Sequence, residues 1–168
     1  MKIESVPIES ISTDPANLRK HDERNISAII ASLRRFGQQH PIVIDSRGIV
    51  LAGNGRYEAI KRLGWPTILA VRSDLAGADA TAYAIADNRT AELANWDDTA
   101  LAETLRALQS EEFDIEAAGF TGDEVDQLIE KLASEIVPDF QPGTIDDQGR
   151  LDEKAKTTCP ECGHEFTP

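Results

Sequence analysis

The stretch Leu51-Ala-Gly53-Asn54-Gly55-Arg56-Tyr57-Glu58-Ala59 decides the fold. The β-branched run before it predicts a strand, its glycines permit a sharp turn, and Arg56 falls in the first turn of the helix that follows. Free N–H groups at a helix N-terminus favour anions, and an arginine adds a bidentate phosphate donor. The turn therefore predicts a phosphate site at Gly53, Asn54, Gly55 and Arg56, with Arg19 and Lys20 close to it. A turn of this kind also serves a purely structural purpose in many strand–helix units, and that alternative stays open.

The elements around the turn follow from periodicity. Residues 2–11 predict a short edge strand, and residues 22–36 carry apolar side chains at i, i+3, i+4 and i+7, which is typical of an amphipathic helix. Two β-branched runs joined by residues 45–48 predict a hairpin. A helix from about Arg56 to Leu63 and a strand over residues 67–71 complete the order βαββαβ. Helices alone follow, so the expected fold class is α+β with an all-α extension.

Composition limits the function classes. The chain has 168 residues, of which 40% are hydrophobic, enough for one domain with a tail. No apolar run approaches the roughly 18–20 residues that span a bilayer, and the N-terminus shows no secretion signal. The two cysteines exclude a disulfide scaffold. We therefore expect a cytoplasmic protein with no membrane partner.

Charge divides the chain into two halves. Residues 17–62 hold nine Lys and Arg against four Asp and Glu, whereas residues 76–135 hold three against fifteen. The first segment predicts a basic face suited to nucleic acid, and the second predicts an acidic helical half suited to a protein partner. A solubilising surface without a partner explains the acidic half equally well.

Four segments follow from these patterns. Residues 1–75 form the α+β domain, residues 76–135 the acidic helical extension, residues 136–157 a disordered linker and residues 158–168 a tail. Asp97 or Asp98 is expected to cap one helix of the extension, and a capping box over residues 121–124 starts another. We expect Trp96 and Phe120 to pack in the core of this extension.

The first half resembles the ParB/sulfiredoxin superfamily. The resemblance rests on the stretch from Gly37 through Pro41, the hairpin, and the residues Gly53 to Ala59, and it covers about half the chain. It implies a small mixed sheet with helices and a nucleotide site for CTP or ATP with Mg²⁺. His40 stands where that family has a glutamine, Asn54 and Gly55 replace a Glu and an Arg, and Arg56 matches. The third motif is partial and implies Asp87, Asn88 and Arg89 as further site residues.

Other branches of the superfamily suggest enzymatic activities. The nucleophilic cysteine of sulfiredoxin corresponds to Asn54, whose amide cannot supply a thiolate, so sulfiredoxin activity is excluded. A serine-kinase branch places a carboxylate near the start of the first helix, which makes Glu23 a weak candidate base. CTPase, nuclease and small-molecule kinase activities stay open, and the sequence names no catalytic residue.

The second half resembles the region that follows ParB-like domains in phage and mobile-element proteins, which often precedes a DNA methyltransferase. The resemblance implies a phage- or plasmid-type ParB-like protein acting in DNA partition, packaging or modification, with a homodimer as one form. The alternative is a non-catalytic adaptor that binds a protein through the acidic helices. Because these helices are acidic, we expect no duplex recognition by this half.

The tail contains Cys159-Pro-Glu-Cys162-Gly163-His164, which has the spacing of one zinc knuckle. A structural Zn²⁺ takes four ligands, and the sequence has no second Cys-x-x-Cys. Cys159 and Cys162 are therefore candidate zinc ligands, either within one chain or shared across a dimer. A metal-free tail is the third alternative.

Overall fold

The computed structural model describes residues 2–15, 17–136 and 156–166. They fall into two compact units, residues 1–133 and 134–168. The predicted linker, residues 136–157, lies almost entirely outside the described residues. Within the described ranges, no helix combines the length and apolar character needed to cross a membrane.

The first unit opens with a mixed five-stranded sheet, as predicted. Its strands in spatial order are β1, β5, β3, β4 and β2. Pairing alternates along this order: β1–β5 and β3–β4 are antiparallel, whereas β5–β3 and β4–β2 are parallel. The bounds are β1 Ile3–Pro7, β2 Ser12–Thr13, β3 Ile42–Ile44, β4 Ile49–Ala52 and β5 Thr67–Arg72.

Two helices pack against this sheet. Helix α1 spans Glu23–Phe36 and α2 spans Asn54–Leu63. The side chain of Asp22 caps α1 by accepting from the N–H of Asn25. Together they enclose an aliphatic core that includes Ile26, Ile42, Ile44, Ile60 and Ile68, each at most 1% exposed.

The prediction for α2 was wrong at its start. The helix begins at Asn54 and not at Arg56, because Gly53 adopts φ 93° and the chain turns into the helix at the next residue. Strand β2 was not predicted, since a two-residue strand is too short to carry a pattern.

The helical half comprises α3 Gly77–Glu92, α4 Asp98–Ser110 and α5 Gly122–Ile136. Asp97 caps α4, and the capping box forms as predicted between Thr121 and Glu124. Helices α4 and α5 enclose a second core around Leu105, Ile115 and Val125, against which Phe120 packs. The expectation for Trp96 was wrong: its side chain is 72% exposed in the connection between α3 and α4.

The second unit contains a short antiparallel hairpin of β6 Thr157–Thr158 and β7 Glu165–Phe166. The N–H of Cys159 donates to the carbonyl of His164, and the N–H of Gly163 donates back to Cys159. These bonds form the tight turn that carries both cysteines.

Candidate phosphate-binding site

The turn between β4 and α2 requires glycine at its first position. Gly53 has φ 93°, and a β-carbon there would lie 2.8 Å from Cγ2 of Ile42. No side chain caps the first turn of α2, although Tyr57 N–H donates to the Gly53 carbonyl and starts the helical pattern. The amides of the first turn therefore point outward from a helix N-terminus, an arrangement that favours anions.

Arg56 is held at the same place by the backbone of the segment before β3. Its Nη1 donates to the carbonyl of Pro41 at 2.9 Å and lies 3.4 Å from the carbonyl of His40. The side chain is half-buried. Since a guanidinium has five N–H donors, these contacts fix its direction and leave donors for a ligand.

A cavity of about 350 Å³ opens beside this turn. Eight of the ten predicted binding residues line it: Arg19, His40, Gly53, Asn54, Gly55, Arg56, Asp87 and Asn88. Oδ1 of Asn54 is buried and has no hydrogen-bond partner within the described part of the chain. The structure thus brings residues from the segment before α1, the segment before β3, the turn and α3 to one place.

Two predicted residues lie elsewhere. Lys20 is exposed and lines neither of the two cavities described here. Arg89 lines a second, larger cavity of about 810 Å³ between α3 and β4, whose lining also includes Arg19, Asn54 and Asn88. Nη1 of Arg89 lies 3.4 Å from a carboxylate oxygen of Glu92 on the same helix.

Sequence reasoning missed His21, which lines the smaller cavity. A β-carbon on Gly55 would lie 2.9 Å from Cε1 and 3.0 Å from Nδ1 of this imidazole. The ring therefore occupies the space beside the first turn of α2 that a larger residue at position 55 would take. Spacing gave no signal for this contact, because 34 positions separate the two residues.

Helix α3 forms one wall of the smaller cavity, and its side chains are at most partly buried. Asn88 donates to the carbonyl of Ala84 at 2.8 Å, which aligns its amide with the helix. Burial raises the pKa of Tyr83, and the charge of Asp87 raises it further while that of Arg56 opposes the shift. Asp87 is the carboxylate of the smaller cavity.

Glu23, the weak candidate base, is not among the residues that line either cavity. Both its oxygens accept from Arg62, at 2.6 and 3.0 Å. These hydrogen bonds and the charge of Arg62 lower the pKa of Glu23. An exposed carboxylate bound in this way is a poor base, so its placement gives the kinase prediction no support.

Part of the predicted basic face pairs with the acidic half of the same chain. Arg19 forms an ion pair with Glu92 of α3, and Arg24 forms one with Glu124 of α5. Arg35 lies 4.9 Å from the ring centroid of Phe113. Some of the basic residues of the first half therefore form ion pairs with acidic residues of the second half of the same chain.

The cysteine turn carries the two thiols predicted as zinc ligands. N–H groups of Cys162 and Glu161, together with the Cys162 thiol, lower the pKa of the Cys159 thiol. No group of three or more His, Cys, Asp or Glu side chains suited to a metal forms among the described residues. Zinc binding by Cys159 and Cys162 therefore stays a prediction.

The mixed sheet, the glycine turn into α2 and the cavity beside it with its arginines are together the features of a ParB-like α+β domain. Residues 1–89 match the ParB N-terminal domain family, and residues 99–161 match the ParB-methyltransferase helix-turn-helix domain. The chain belongs to the ParB N-terminal domain family, and the region after this domain is similar to the methyltransferase-associated helix-turn-helix domain.

Individual relatives agree with this assignment. The ParB-like nuclease domain-containing protein YnaK of Escherichia coli (strain K12) is 32% identical over 63 residues, which are 38% of this chain and 72% of YnaK. The C-terminally truncated ParB of Caulobacter crescentus complexed with CTP-γ-S has a TM-score of 0.68 at 21% identity. The match covers 83% of this chain and 81% of that one, and it shows a shared fold.

The match of residues 99–161 to a helix-turn-helix domain stands beside the expectation drawn from charge. That the acidic half does not recognise duplex DNA stays a prediction.

Proposed function

We propose that this chain is a ParB-like protein of phage or plasmid type that binds a nucleoside triphosphate, CTP or ATP, through its phosphates in the smaller cavity. The observation that carries the proposal is the convergence of eight predicted residues on that cavity. They come from four separate segments, and a turn with a purely structural purpose does not require this convergence.

The chemistry of the cavity fits a phosphate chain. Two guanidinium groups, Arg19 and Arg56, lie with the uncapped amides of α2 in its lining, where Asp87 is the carboxylate. Arg19 is also paired with Glu92 of α3. Mg²⁺ usually keeps several waters and binds one or two carboxylates plus substrate phosphates. Asp87 and the buried Oδ1 of Asn54 are oxygens of this lining that would suit the ion, which would neutralise phosphate charge.

The match of residues 99–161 to a helix-turn-helix domain is the reason to include DNA binding in the proposed function. A helix-turn-helix places one helix in the major groove, and any DNA contact by this half would need to overcome its negative charge. The basic residues of the face over residues 17–62 that form no ion pair within the described part of the chain would supply the contacts to DNA phosphates. Partition, packaging or modification of DNA is the setting we propose for this combination.

Titration calorimetry with CTP, ATP and a short duplex in Mg²⁺ tests the proposal. We expect CTP or ATP to bind with micromolar affinity, and Arg56→Ala to abolish this binding. Arg34→Ala is the matched control, because Arg34 is exposed on α1 and lines neither cavity. Thermal unfolding of each variant checks the fold, since Arg56 also holds the backbone of Pro41. Equal affinity in Arg56→Ala and wild type would refute the proposal.

An adaptor is the second candidate function. Ile85, Leu93 and Trp96 are 50%, 62% and 72% exposed on and after α3. Exposed apolar groups of this size favour a protein contact. The double variant Leu93→Ser/Trp96→Ser should no longer bind a protein partner and should keep the wild-type nucleotide affinity. A double variant that loses only nucleotide binding would contradict the adaptor function.

A further inference from the structure

His21 lies beside the first turn of α2, at the cavity proposed for the phosphates. The imidazole is half-buried, packs at Gly55 and lines the same cavity as Arg19 and Arg56. A residue with a β-carbon at position 55 would displace it, with Cε1 only 2.9 Å away. The glycine at position 55 therefore leaves room for the imidazole beside this helix N-terminus.

One nitrogen of that imidazole is already in use. Nδ1–H donates to Oδ1 of Asn25 at 2.7 Å, and the N–H of Asn25 donates to the capping carboxylate of Asp22 at 2.7 Å. The first turn of α1 thus fixes the ring. Because a neutral imidazole has one N–H, Nε2 is then an acceptor, which repels a phosphate oxygen. Only the imidazolium form has a second donor for the ligand.

We propose that His21 binds a ligand phosphate as an imidazolium through Nε2–H, so that nucleotide binding takes up a proton from the solvent at this residue. The inference rests on the proposed nucleotide function and names a residue that recognises the phosphate. The Asn25 oxygen stabilises the imidazolium on one side, and the phosphate stabilises it on the other.

Other charged groups surround His21. Arg19 and Arg56 are positive, Arg19 is paired with Glu92 of α3, and Asp87 is the carboxylate in the lining of the cavity. A phosphate oxygen beside the imidazole favours the protonated form of His21 in the complex. His40 is an alternative source of a proton effect, so its variant is measured as well, and His164, which lines neither cavity, provides the matched control.

The test measures binding enthalpy in two buffers of different ionisation enthalpy at about pH 7.5, where an ordinary histidine is mostly neutral. The probes are CTP with Mg²⁺ and inorganic tripolyphosphate, on wild type, His21→Gln, His40→Gln and the control His164→Gln. We expect proton uptake by wild type and His164→Gln, and its loss in His21→Gln. Both probes should bind His21→Gln roughly tenfold more weakly, the effect of one charge-assisted hydrogen bond.

The two proposals can fail separately. If wild type binds neither probe, the nucleotide function and the role of His21 both fall. If Arg56→Ala abolishes binding while His21→Gln keeps the wild-type affinity and proton uptake, the nucleotide function stands and His21 has no part in it. Loss of proton uptake in His40→Gln alone would assign the effect to His40.

A measurement on the unaltered protein protects the test from a folding defect in His21→Gln. The sequence has three histidines, His21, His40 and His164. Nitrogen-detected spectra of the imidazoles, assigned with single variants, should show His21 change to the imidazolium pattern on addition of CTP. An unchanged His21 signal at saturating CTP overturns the inference.

Discussion

The ring of Phe36 stacks on the ring of Phe113, with centroids 6.2 Å apart and planes inclined by 20°. Phe36 ends α1, and Phe113 is partly buried and packs against the core between α4 and α5. Arg35 lies over the same Phe113 ring. This contact joins the sheet-containing half of the first unit to its helical half.

Replacing Phe113 should therefore weaken the junction. We expect Phe113→Ala to lower the free energy of unfolding by about 1–3 kcal/mol, because it removes a half-buried ring together with its stacking and cation–π contacts. Urea unfolding measures the loss. Trp96→Ala is the control, since that larger ring is 72% exposed, and an equal loss in both variants would contradict this role for Phe113.

Much of the fold could be predicted because local signals agreed with one another. The apolar stripe of α1, its Asp22 cap and Gly37 after it each indicate the same helix. The hairpin and the turn into α2 were predicted from local signals as well. The glycine turn also indicated residues that line the smaller cavity. These features depend on residues close together in sequence, which is the range that periodicity and capping rules cover.

What escaped prediction depends on contacts between distant segments. The imidazole of His21 meets Gly55 only after α1 packs on α2. Trp96 looked like a core residue, yet the connection between α3 and α4 exposes it.

Two glycines with similar backbone angles should respond differently to alanine. Gly48 has φ 85°, and a β-carbon there would lie 2.6 Å from the Ser10 carbonyl oxygen. Gly64 has φ 71° and has no atom within 4 Å of such a carbon among the described residues. We expect Gly64→Ala to cost about 1 kcal/mol and Gly48→Ala about 2–3 kcal/mol by denaturant unfolding. Equal losses of unfolding free energy in the two variants would show that the Ser10 backbone moves aside without a free-energy cost.

The stability of the protein should depend on Asp45 in acid. Burial raises the pKa of this carboxyl, but hydrogen bonds from the N–H groups of Ile49 and Arg47 and from the Arg47 guanidinium outweigh it and lower the pKa. A lowered folded-state pKa contributes stability that is present above the unfolded pKa of about 3.9 and lost as pH falls through the folded value.

Asp45→Asn should therefore flatten the fall in unfolding free energy below about pH 4. Asp79→Asn, at an exposed position on α3, is the control and should keep the wild-type slope. The measurement is urea unfolding at a series of pH values. An identical slope in Asp45→Asn and wild type would contradict the role of Asp45.

The cysteine turn predicts a metal shared by two copies. Cys159 and Cys162 supply two thiolates, and a tetrahedral site needs four ligands. We expect Co²⁺ to give thiolate charge-transfer absorption at one ion per two chains, and Zn²⁺ to displace it. Cys159→Ser should abolish the signal, whereas His164→Gln should keep it. A stoichiometry of one ion per chain, or no signal, would exclude the shared site.

The most direct test of the central claim is a backbone amide spectrum of the protein titrated with CTP and Mg²⁺. The proposed phosphate site predicts that the largest shifts fall on Gly53, Gly55 and Arg56, at the start of α2. The larger cavity beside α3 provides the internal comparison, with Ser73 and Gly77 in its lining. Shifts confined to that cavity, or none at saturating CTP, would contradict the account.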